Sequence, residues 1–239
     1  MRIALPSLLF LLVASCTQTV VRPAPASQVQ KWGSMREALK LGHSEGRVVI
    51  ADAVQPTSFG VGALAGLAGE ITVMNGQVFI AEATADGAAV RSNTASEQAT
   101  LLALAETPAW QSYPLPACAS YTELETAIAQ QLRTAGFDLN QATAVWVSGL
   151  ANQINGHVIH GSCPIANPDG PKPWRLEAAQ ENMQLIGFFI DNAAGEWTHH
   201  NHRSHLHILN TSFTVSGHLD EVSFLDGAVL KLPIAQAGD

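Results

Sequence analysis

The stretch His205-Leu206-His207-Ile208-Leu209, followed by Ser216-Gly217-His218-Leu219-Asp220, decides how the C-terminal part of this chain folds. Histidines and aliphatic residues alternate in the first segment, and this alternation is typical of a half-buried β-strand. Because alternate side chains of a strand share a face, His205 and His207 point the same way, and the intervening Leu and Ile pack into the layer behind. His218 comes eleven positions after His207 and follows a glycine, so the sequence predicts that it returns beside them on a neighbouring strand.

Three imidazoles on one face can hold a metal ion and leave one coordination position open, which is the arrangement of catalytic metal sites. Structural zinc sites instead close the shell with four protein ligands rich in Cys, and the cysteines of the body lie far from this cluster in the sequence. The predicted metal ligands are therefore His205, His207 and His218. The other members of the cluster are interpreted as a solvated surface patch or a weak metal scavenger: His199, His200 and His202.

Strand signals dominate the rest of the chain, and helix signals are few. Two helices are predicted from capping-box spacing, one beginning at Ser34 to Glu37 and one at Ser120 to Glu123. The second predicted helix carries Leu124, Ile128, Leu132 and Ala135 on one stripe and stops at Gly136. Asn75-Gly76 between β-prone runs predicts a tight hairpin. Further strands are predicted at Thr143–Val147, His157–His160, Met183–Ile190, His205–Leu209 and His218–Leu230, with a turn at Asp226-Gly227. This pattern favours an α+β fold with mixed or antiparallel sheets.

Composition excludes some classes of protein. Of 239 residues, 47% are apolar and 13% are charged, so the chain has enough apolar side chains to build a core and is not disordered over most of its length. Twelve basic residues against twenty acidic ones give a net charge of −8, and no basic stripe is present. Binding to a nucleic-acid backbone by charge neutralisation is therefore not expected.

The N-terminus has the layout of an export signal. Arg2 precedes an apolar run from Ile3 to Ala14, which is too short to span a bilayer comfortably. Its end, Leu12-Val13-Ala14-Ser15-Cys16, resembles the bacterial lipoprotein signal, in which the cysteine becomes the lipidated first residue; an ordinary cleaved signal is the alternative. We expect a signal over residues 1–16, a flexible tether over 17–30 and a globular body over 31–239. The protein would then be exported and anchored by lipid, facing the periplasm or the cell exterior.

Two cysteines remain in the body, Cys118 and Cys163. An oxidising compartment permits a disulfide between them. A pair of free, buried thiols is equally consistent with the sequence.

The two histidine segments resemble the zinc-binding signature of bacterial α-acetolactate decarboxylases, with all three histidines at the family's spacing. A second block is also similar to that family: Phe59-Gly60-Val61-Gly62-Ala63-Leu64, Leu67-Ala68-Gly69-Glu70 and Asn75-Gly76 match its phenylalanine-glycine corner, its glycine-glutamate pair and its hairpin. The resemblance covers most of residues 33 to 230. It implies two subdomains, here divided near residues 140–165, a single Zn²⁺, and conversion of 2-acetolactate to acetoin with loss of CO₂.

The chemistry implied by this resemblance suits the residues. A 2-hydroxy-3-oxo acid can chelate zinc through its hydroxyl and ketone oxygens, and the metal can act as a Lewis acid when the carboxylate departs. The carbon that loses CO₂ then needs a proton. Glu70 matches the family's position for the acid that supplies it, and it follows a glycine at the start of a predicted strand.

Three family features have no match here. The active-site threonine is replaced by Ala63, the arginine near mid-chain falls at about His160-Gly161, and the glutamate of the C-terminal tail has no clear counterpart after Leu232-Pro233. His157 and His160 are the residues expected to substitute in substrate binding.

Three functions are therefore in competition. The first is a zinc-dependent lyase acting on 2-acetolactate or a related 2-hydroxy-3-oxo acid. The second is a non-catalytic metal-binding or ligand-binding lipoprotein on the same scaffold, and the third is a lyase or isomerase for a different chelating keto acid. A small-molecule substrate is expected in the first and third, and a homodimer is compatible with all three.

Overall fold

The computed structural model describes residues 28–161, 167, 169–199 and 201–234. Within these ranges an antiparallel sheet of seven strands comes first in the chain, with the pairing order β1-β7-β3-β4-β5-β6 and β2 paired to β7. Its strands are β1 (Gln30–Trp32), β2 (Val48–Val49), β3 (Ser58–Leu64), β4 (Glu70–Met74), β5 (Gln77–Thr84), β6 (Gly87–Arg91) and β7 (Gln98–Glu106).

The second antiparallel sheet follows in the chain. Its strands are β8 (Trp110–Pro114), β9 (Thr143–Val158), β10 (Trp174–Phe189), β11 (Ser204–Asn210), β12 (Ser216–Phe224) and β13 (Val229–Pro233). Strand β9 pairs with β10, β10 with β11, β11 with β12, and β12 with β9 again, so these four strands pair in a closed cycle. The strand-rich architecture with two sheets and few helices agrees with the predicted class.

Three short or medium helices are described: α1 (Met35–Lys40), α2 (Ile50–Ala53) and α3 (Tyr121–Thr134). Both predicted helix starts are confirmed with serine as the N-cap, since the side chains of Ser34 and Ser120 accept hydrogen bonds from the backbone N–H groups three residues later. Gly136, with φ of 84°, follows the end of α3 as predicted. No helix in the described ranges is long and apolar enough to cross a membrane.

The hairpin predicted at Asn75-Gly76 joins β4 to β5. Both residues have positive φ, 50° and 72°, as a type I′ turn requires. A Cβ atom at Gly76 would also lie 2.7 Å from the carbonyl oxygen of Gln55, so the close approach of that segment excludes a side chain here.

Several predicted strand limits were wrong. The strand expected at Thr143–Val147 and the first two residues of the strand expected at His157–His160 belong to one strand, β9, which ends at Val158. The polar middle of β9 is stabilised by backbone pairing to β10 and, over its second half, to β12. The strand expected from Met183 is only the end of β10. The strand expected over His218–Leu230 is divided into β12 and β13 by the predicted turn at Asp226-Gly227.

The change from the first sheet to the second occurs between β7 and β8, at residues 106–110, whereas the expected division near 140–165 falls in β9 and the segment after it. One core cluster joins the sheets: Phe59, Val61 and Met74 of the first pack with Ile186 and Phe188 of the second. Helix α3 covers the other side of the second sheet with the predicted apolar stripe. Leu124, Ile128 and Leu132 of this helix are fully buried, and each contributes about 1.5–3 kcal/mol by leaving water.

Candidate metal centre

The three predicted ligands lie together on two paired strands. His207 of β11 is directly opposite His218 of β12, and His205 lies two residues before His207 on the same face. All three side chains are buried, His207 completely. One nitrogen from each lies within 4.8 Å of one nitrogen from each of the others. The predicted juxtaposition is therefore present.

The donor set fits a metal ion. Nε2 of His207 is buried and has no hydrogen-bond partner within the described part of the chain. An orphaned buried nitrogen costs free energy unless another ligand satisfies it, and a cation shared with His205 and His218 would do so. Neutral imidazole nitrogens are ligands for zinc, copper, iron and nickel.

Burial sets the protonation state of these histidines. Desolvation, with neighbouring histidines as a further cause, lowers the pKa of His205 to about 3 and holds the pKa values of His207 and His218 well below the ordinary value. All three are therefore neutral near pH 7, which is the form that binds metal.

A residue of the first sheet, Thr72, contacts the ring of His207. Thr72 of β4 places its Oγ1 3.1 Å from Nδ1 of His207 and 3.0 Å from Oγ of Ser216. A contact to the far nitrogen of a ligating histidine fixes the orientation of its ring. His205 likewise bonds the backbone of Trp197.

Glu70 approaches the histidines from the first sheet. It is the first residue of β4, only 4% exposed, and one of its carboxylate oxygens, Oε2, lies 3.6 Å from Nε2 of His207. Its other oxygen accepts a hydrogen bond from the backbone N–H of Ile159 at 3.3 Å. Burial raises the pKa of Glu70 to about 7, although His157 and the Ile159 N–H oppose that shift. This glutamate is therefore buried beside the histidine cluster and does not face solvent.

A cavity of about 200 Å³ opens onto this cluster. The polar part of its wall includes Glu70, His205, His218 and Asp220. The apolar part is formed by Met35, Ala38, Leu39, Ala63, Leu67, Leu101 and Ile159. The cavity can therefore take a small molecule with a polar, chelating end and an apolar end.

His157 also lies in the cavity, directly opposite His218 across the pairing of β9 with β12. Its Nδ1 is 2.8 Å from Oδ1 of Asp220, and Arg175 donates from Nη1 to Oδ2 of the same carboxylate at 2.8 Å. Burial alone would lower the pKa of His157, but the hydrogen bond to Asp220 and the nearby carboxylates raise it above the ordinary value.

The remaining histidines differ in their position relative to the cavity. His160 is exposed just beyond the end of β9 and is not among the described residues that line the cavity. His199 lines the cavity, with its ring centroid 4.5 Å from that of His218, so its interpretation as a solvated surface residue is wrong. His202 stacks on Tyr121 at 4.6 Å, next to helix α3. His200 lies outside the described residues.

Sequence reasoning missed two cavity residues, Asp220 and Arg175. Asp220 follows His218 by two positions on a strand, and this spacing is a signal that could have placed it on the same face. Arg175 gives no comparable signal, since its position depends on the pairing of β9 with β10.

Of the two cysteines of the body, Cys118 is buried, and its Sγ donates to the carbonyl of Pro116 at 3.4 Å. Cys163 lies outside the described residues, as does Cys16, so the disulfide and the lipidation site stay predictions.

Three solved structures share this fold. A Staphylococcus aureus protein of unknown function, similar to alpha-acetolactate decarboxylase, is 14% identical with a TM-score of 0.68, and the match covers 85% of this chain and 84% of that one. Alpha-acetolactate decarboxylase from Bacillus subtilis strain 168 is 16% identical, with a TM-score of 0.67 and coverage of 87% and 86%. Acetolactate decarboxylase from Bacillus subtilis subspecies spizizenii is 17% identical, with a TM-score of 0.69 and coverage of 87% of each chain.

At these identities the solved structures establish the fold alone. No curated protein matches the sequence. The family model for alpha-acetolactate decarboxylase, however, matches residues 33–237, which include every strand except β1 and every residue of the histidine cluster. The chain therefore belongs to the alpha-acetolactate decarboxylase family.

Proposed function

We propose that this protein is a zinc-dependent decarboxylase of 2-hydroxy-3-oxo acids, with 2-acetolactate as the substrate and acetoin and CO₂ as the products. The observation that carries the proposal is the position of Glu70. A buried carboxyl group lies 3.6 Å from Nε2 of a histidine that belongs to a three-histidine metal cluster, so an acid and a metal site share one cavity.

His205, His207 and His218 would hold the ion. Three imidazoles with no thiolate or carboxylate among them leave the metal strongly electrophilic, and zinc with three protein ligands keeps a position open for substrate. Bound there, Zn²⁺ would supply Lewis-acid stabilisation of the negative charge that remains on the substrate oxygens when CO₂ leaves.

Glu70 would deliver the proton. Its Oε1 is held by the backbone N–H of Ile159, and its Oε2 faces the histidine cluster, so the carboxyl group is fixed in orientation. The carbon that loses CO₂ must be protonated to give acetoin, and a positioned carboxylic acid contributes about 10²–10⁴-fold to such a step.

The apolar wall of the cavity would hold the alkyl part of the substrate and exclude water. Ala63 lies on that wall, beside β4, where the resemblance leads one to expect a hydroxyl group. The methyl group at this position favours an alkyl substituent over a polar one.

The test is the Glu70→Gln variant, with Glu177→Gln as its control because Glu177 is exposed on β10. Zinc-loaded wild type should convert racemic acetolactate to acetoin. Glu70→Gln should keep its zinc affinity and lose on the order of 100-fold in turnover, and Glu177→Gln should behave as wild type.

Two results would contradict this assignment. If Glu70 were a fourth ligand, Glu70→Gln would weaken zinc binding together with turnover. If wild type produced no more acetoin than a His207→Ala variant, the specific activity would be wrong.

A second function is favoured by a specific observation, the loss of polar groups from the site. Ala63 offers no hydroxyl, and His160 is exposed at the position where the resemblance leads one to expect an arginine. A non-catalytic metal-binding or ligand-binding lipoprotein would tolerate both changes. Stoichiometric zinc binding without turnover on any 2-hydroxy-3-oxo acid would support this alternative.

We also propose that the protein is exported and anchored by a lipid on Cys16. The support is in the sequence: an apolar run from Ile3 to Ala14 ends in small residues before the cysteine. A substrate would then be met outside the cytoplasm.

A further inference from the structure

The cavity wall includes one permanently charged cation among its described residues, Arg175. The substrate class proposed above carries a carboxylate in addition to the two oxygens that would chelate a metal. The two acidic residues on the wall, Glu70 and Asp220, cannot bind a carboxylate while ionised, because like charges repel. The electrostatically complementary partner for the substrate's negative charge on this wall is therefore a cation.

The strand register places Arg175 on the same side of the sheet as the histidines. Arg175 of β10 is directly opposite His157 of β9, and His157 is directly opposite His218 of β12. Residues directly opposite each other on paired strands project from the same face. With about 4.8 Å between strands, the Arg175 backbone lies roughly 10 Å from that of His218, a span that a long side chain and a small substrate can bridge.

Asp220 holds the guanidinium at this position. Its Oδ2 accepts a hydrogen bond from Nη1 of Arg175 at 2.8 Å, while its Oδ1 bonds His157. A guanidinium carries five N–H donors, so one bond to Asp220 leaves donors for a second carboxylate. The Arg175 side chain is 68% exposed, which keeps it within reach of a molecule entering the cavity.

We propose that Arg175 binds the carboxylate of the substrate at the mouth of the cavity, while the other end of the molecule reaches the metal ligands. This inference rests on the proposed function and adds the group that recognises the acid. A guanidinium suits the task, because it binds carboxylates through charge-assisted and often paired hydrogen bonds.

The charge on the substrate's carboxylate is lost during the reaction, and this loss determines which kinetic constant depends on Arg175. The carboxylate is charged in the bound substrate and becomes neutral CO₂ as the reaction proceeds, so the contact to Arg175 is strongest before the transition state. An interaction of this kind stabilises the bound substrate and does not lower the barrier from it. Loss of Arg175 should therefore raise KM without lowering kcat.

The decisive experiment measures binding without turnover. The probe is 2,3-dihydroxy-2-methylbutanoate, which has the carboxylate and two chelating oxygens but no ketone, and its neutral methylamide is the matched ligand. Both are titrated calorimetrically into zinc-loaded wild type, Arg175→Gln and Arg175→Lys, with Arg133→Gln on α3 as the control variant.

We expect Arg175→Gln to bind the acid about 10–100-fold more weakly and the amide within about twofold of wild type, since one charge-assisted contact is lost. Arg175→Lys should recover part of the affinity for the acid because it restores the charge, and Arg133→Gln should match wild type. In acetoin production, the same Arg175→Gln variant should show an increase in KM and no fall in kcat.

The outcomes separate the two proposals. Unchanged binding of the acid by Arg175→Gln would overturn the role of Arg175 and leave the proposed function standing. An equal loss of acid and amide would also overturn it, because Arg175 would then only shape the cavity. A wild type that binds neither ligand would overturn the proposed function and this inference with it.

Discussion

The carboxylate of Glu125 on α3 gives a prediction that depends on the fold alone. Its Oε1 accepts hydrogen bonds from the backbone N–H of Arg203 at 2.8 Å, from the backbone N–H of Ser204 at 2.9 Å and from the Ser204 hydroxyl at 2.6 Å. Arg203 directly precedes β11 and Ser204 is its first residue, so these groups lie immediately before His205. Replacing Glu125 by alanine removes all three acceptor contacts and leaves the backbone groups in place.

The size of the effect follows from what remains unpaired. The Ser204 hydroxyl keeps a partner, because Oη of Tyr121 lies 3.0 Å away. The two backbone N–H groups lose theirs, and a buried donor without an acceptor costs about 1–3 kcal/mol. The variant should therefore lose roughly 2–6 kcal/mol of a total stability of about 5–15 kcal/mol.

Urea unfolding followed by far-UV circular dichroism measures this loss. Gln130→Ala is the control, because Gln130 is exposed on the same helix and its backbone carbonyl, which Thr134 uses, is retained. Glu125→Gln should lose less than Glu125→Ala, since the amide keeps an acceptor oxygen. A Glu125→Ala variant no less stable than Gln130→Ala would show that these hydrogen bonds do not hold β11 in place.

Further measurements test the metal centre, the anchor and the surface charges. Alanine at any of the three strand histidines should abolish tight zinc binding in a competition titration, whereas His43→Ala, at an exposed position, should not. Thr72→Val should weaken zinc binding by about 10–100-fold, as expected when the partner of a ligand is lost, and equal affinity would show that Thr72 does not orient His207. Cys16→Ser should move the protein from the membrane fraction to the soluble fraction, and a wild type that is itself soluble would refute the anchor. The hydrogen bond from Arg91 holds the pKa of Glu97 below its ordinary value of 4.5, so the pair stabilises the fold above that pH and the contribution is lost on acidification. Arg91→Gln should thus show a smaller fall in Tm between pH 5 and pH 3 than wild type.

Local sequence signals predicted the elements that are determined locally. Capping at Ser34 and Ser120 depends on residues three positions away, and the Asn75-Gly76 turn depends on two backbone angles. The face shared by His205 and His207 follows from the geometry of a single strand. Each of these features could be inferred without knowing how distant segments pair.

Features that depend on pairing over long distances could not be inferred. The position of Arg175 follows from the register of β9 with β10, and nothing in the sequence around it specifies that register. The continuity of β9 through its polar middle likewise comes from partners on both sides. His199 enters the cavity from a segment between strands, where side-chain periodicity gives no direction.

Glu70 and the three histidines proposed as metal ligands come from different sheets, and this division affects how the protein can evolve. The spacing among the histidines is set within β11 and β12, whereas the 3.6 Å separation of Glu70 from His207 is set by the packing between the sheets, at residues such as Phe59 and Phe188. A substitution in that shared core can move the acid away from the cluster without disturbing the cluster itself. In the proposed mechanism, metal binding and proton delivery are thus separate heritable traits, and a lineage can lose the second in small steps while it keeps the first.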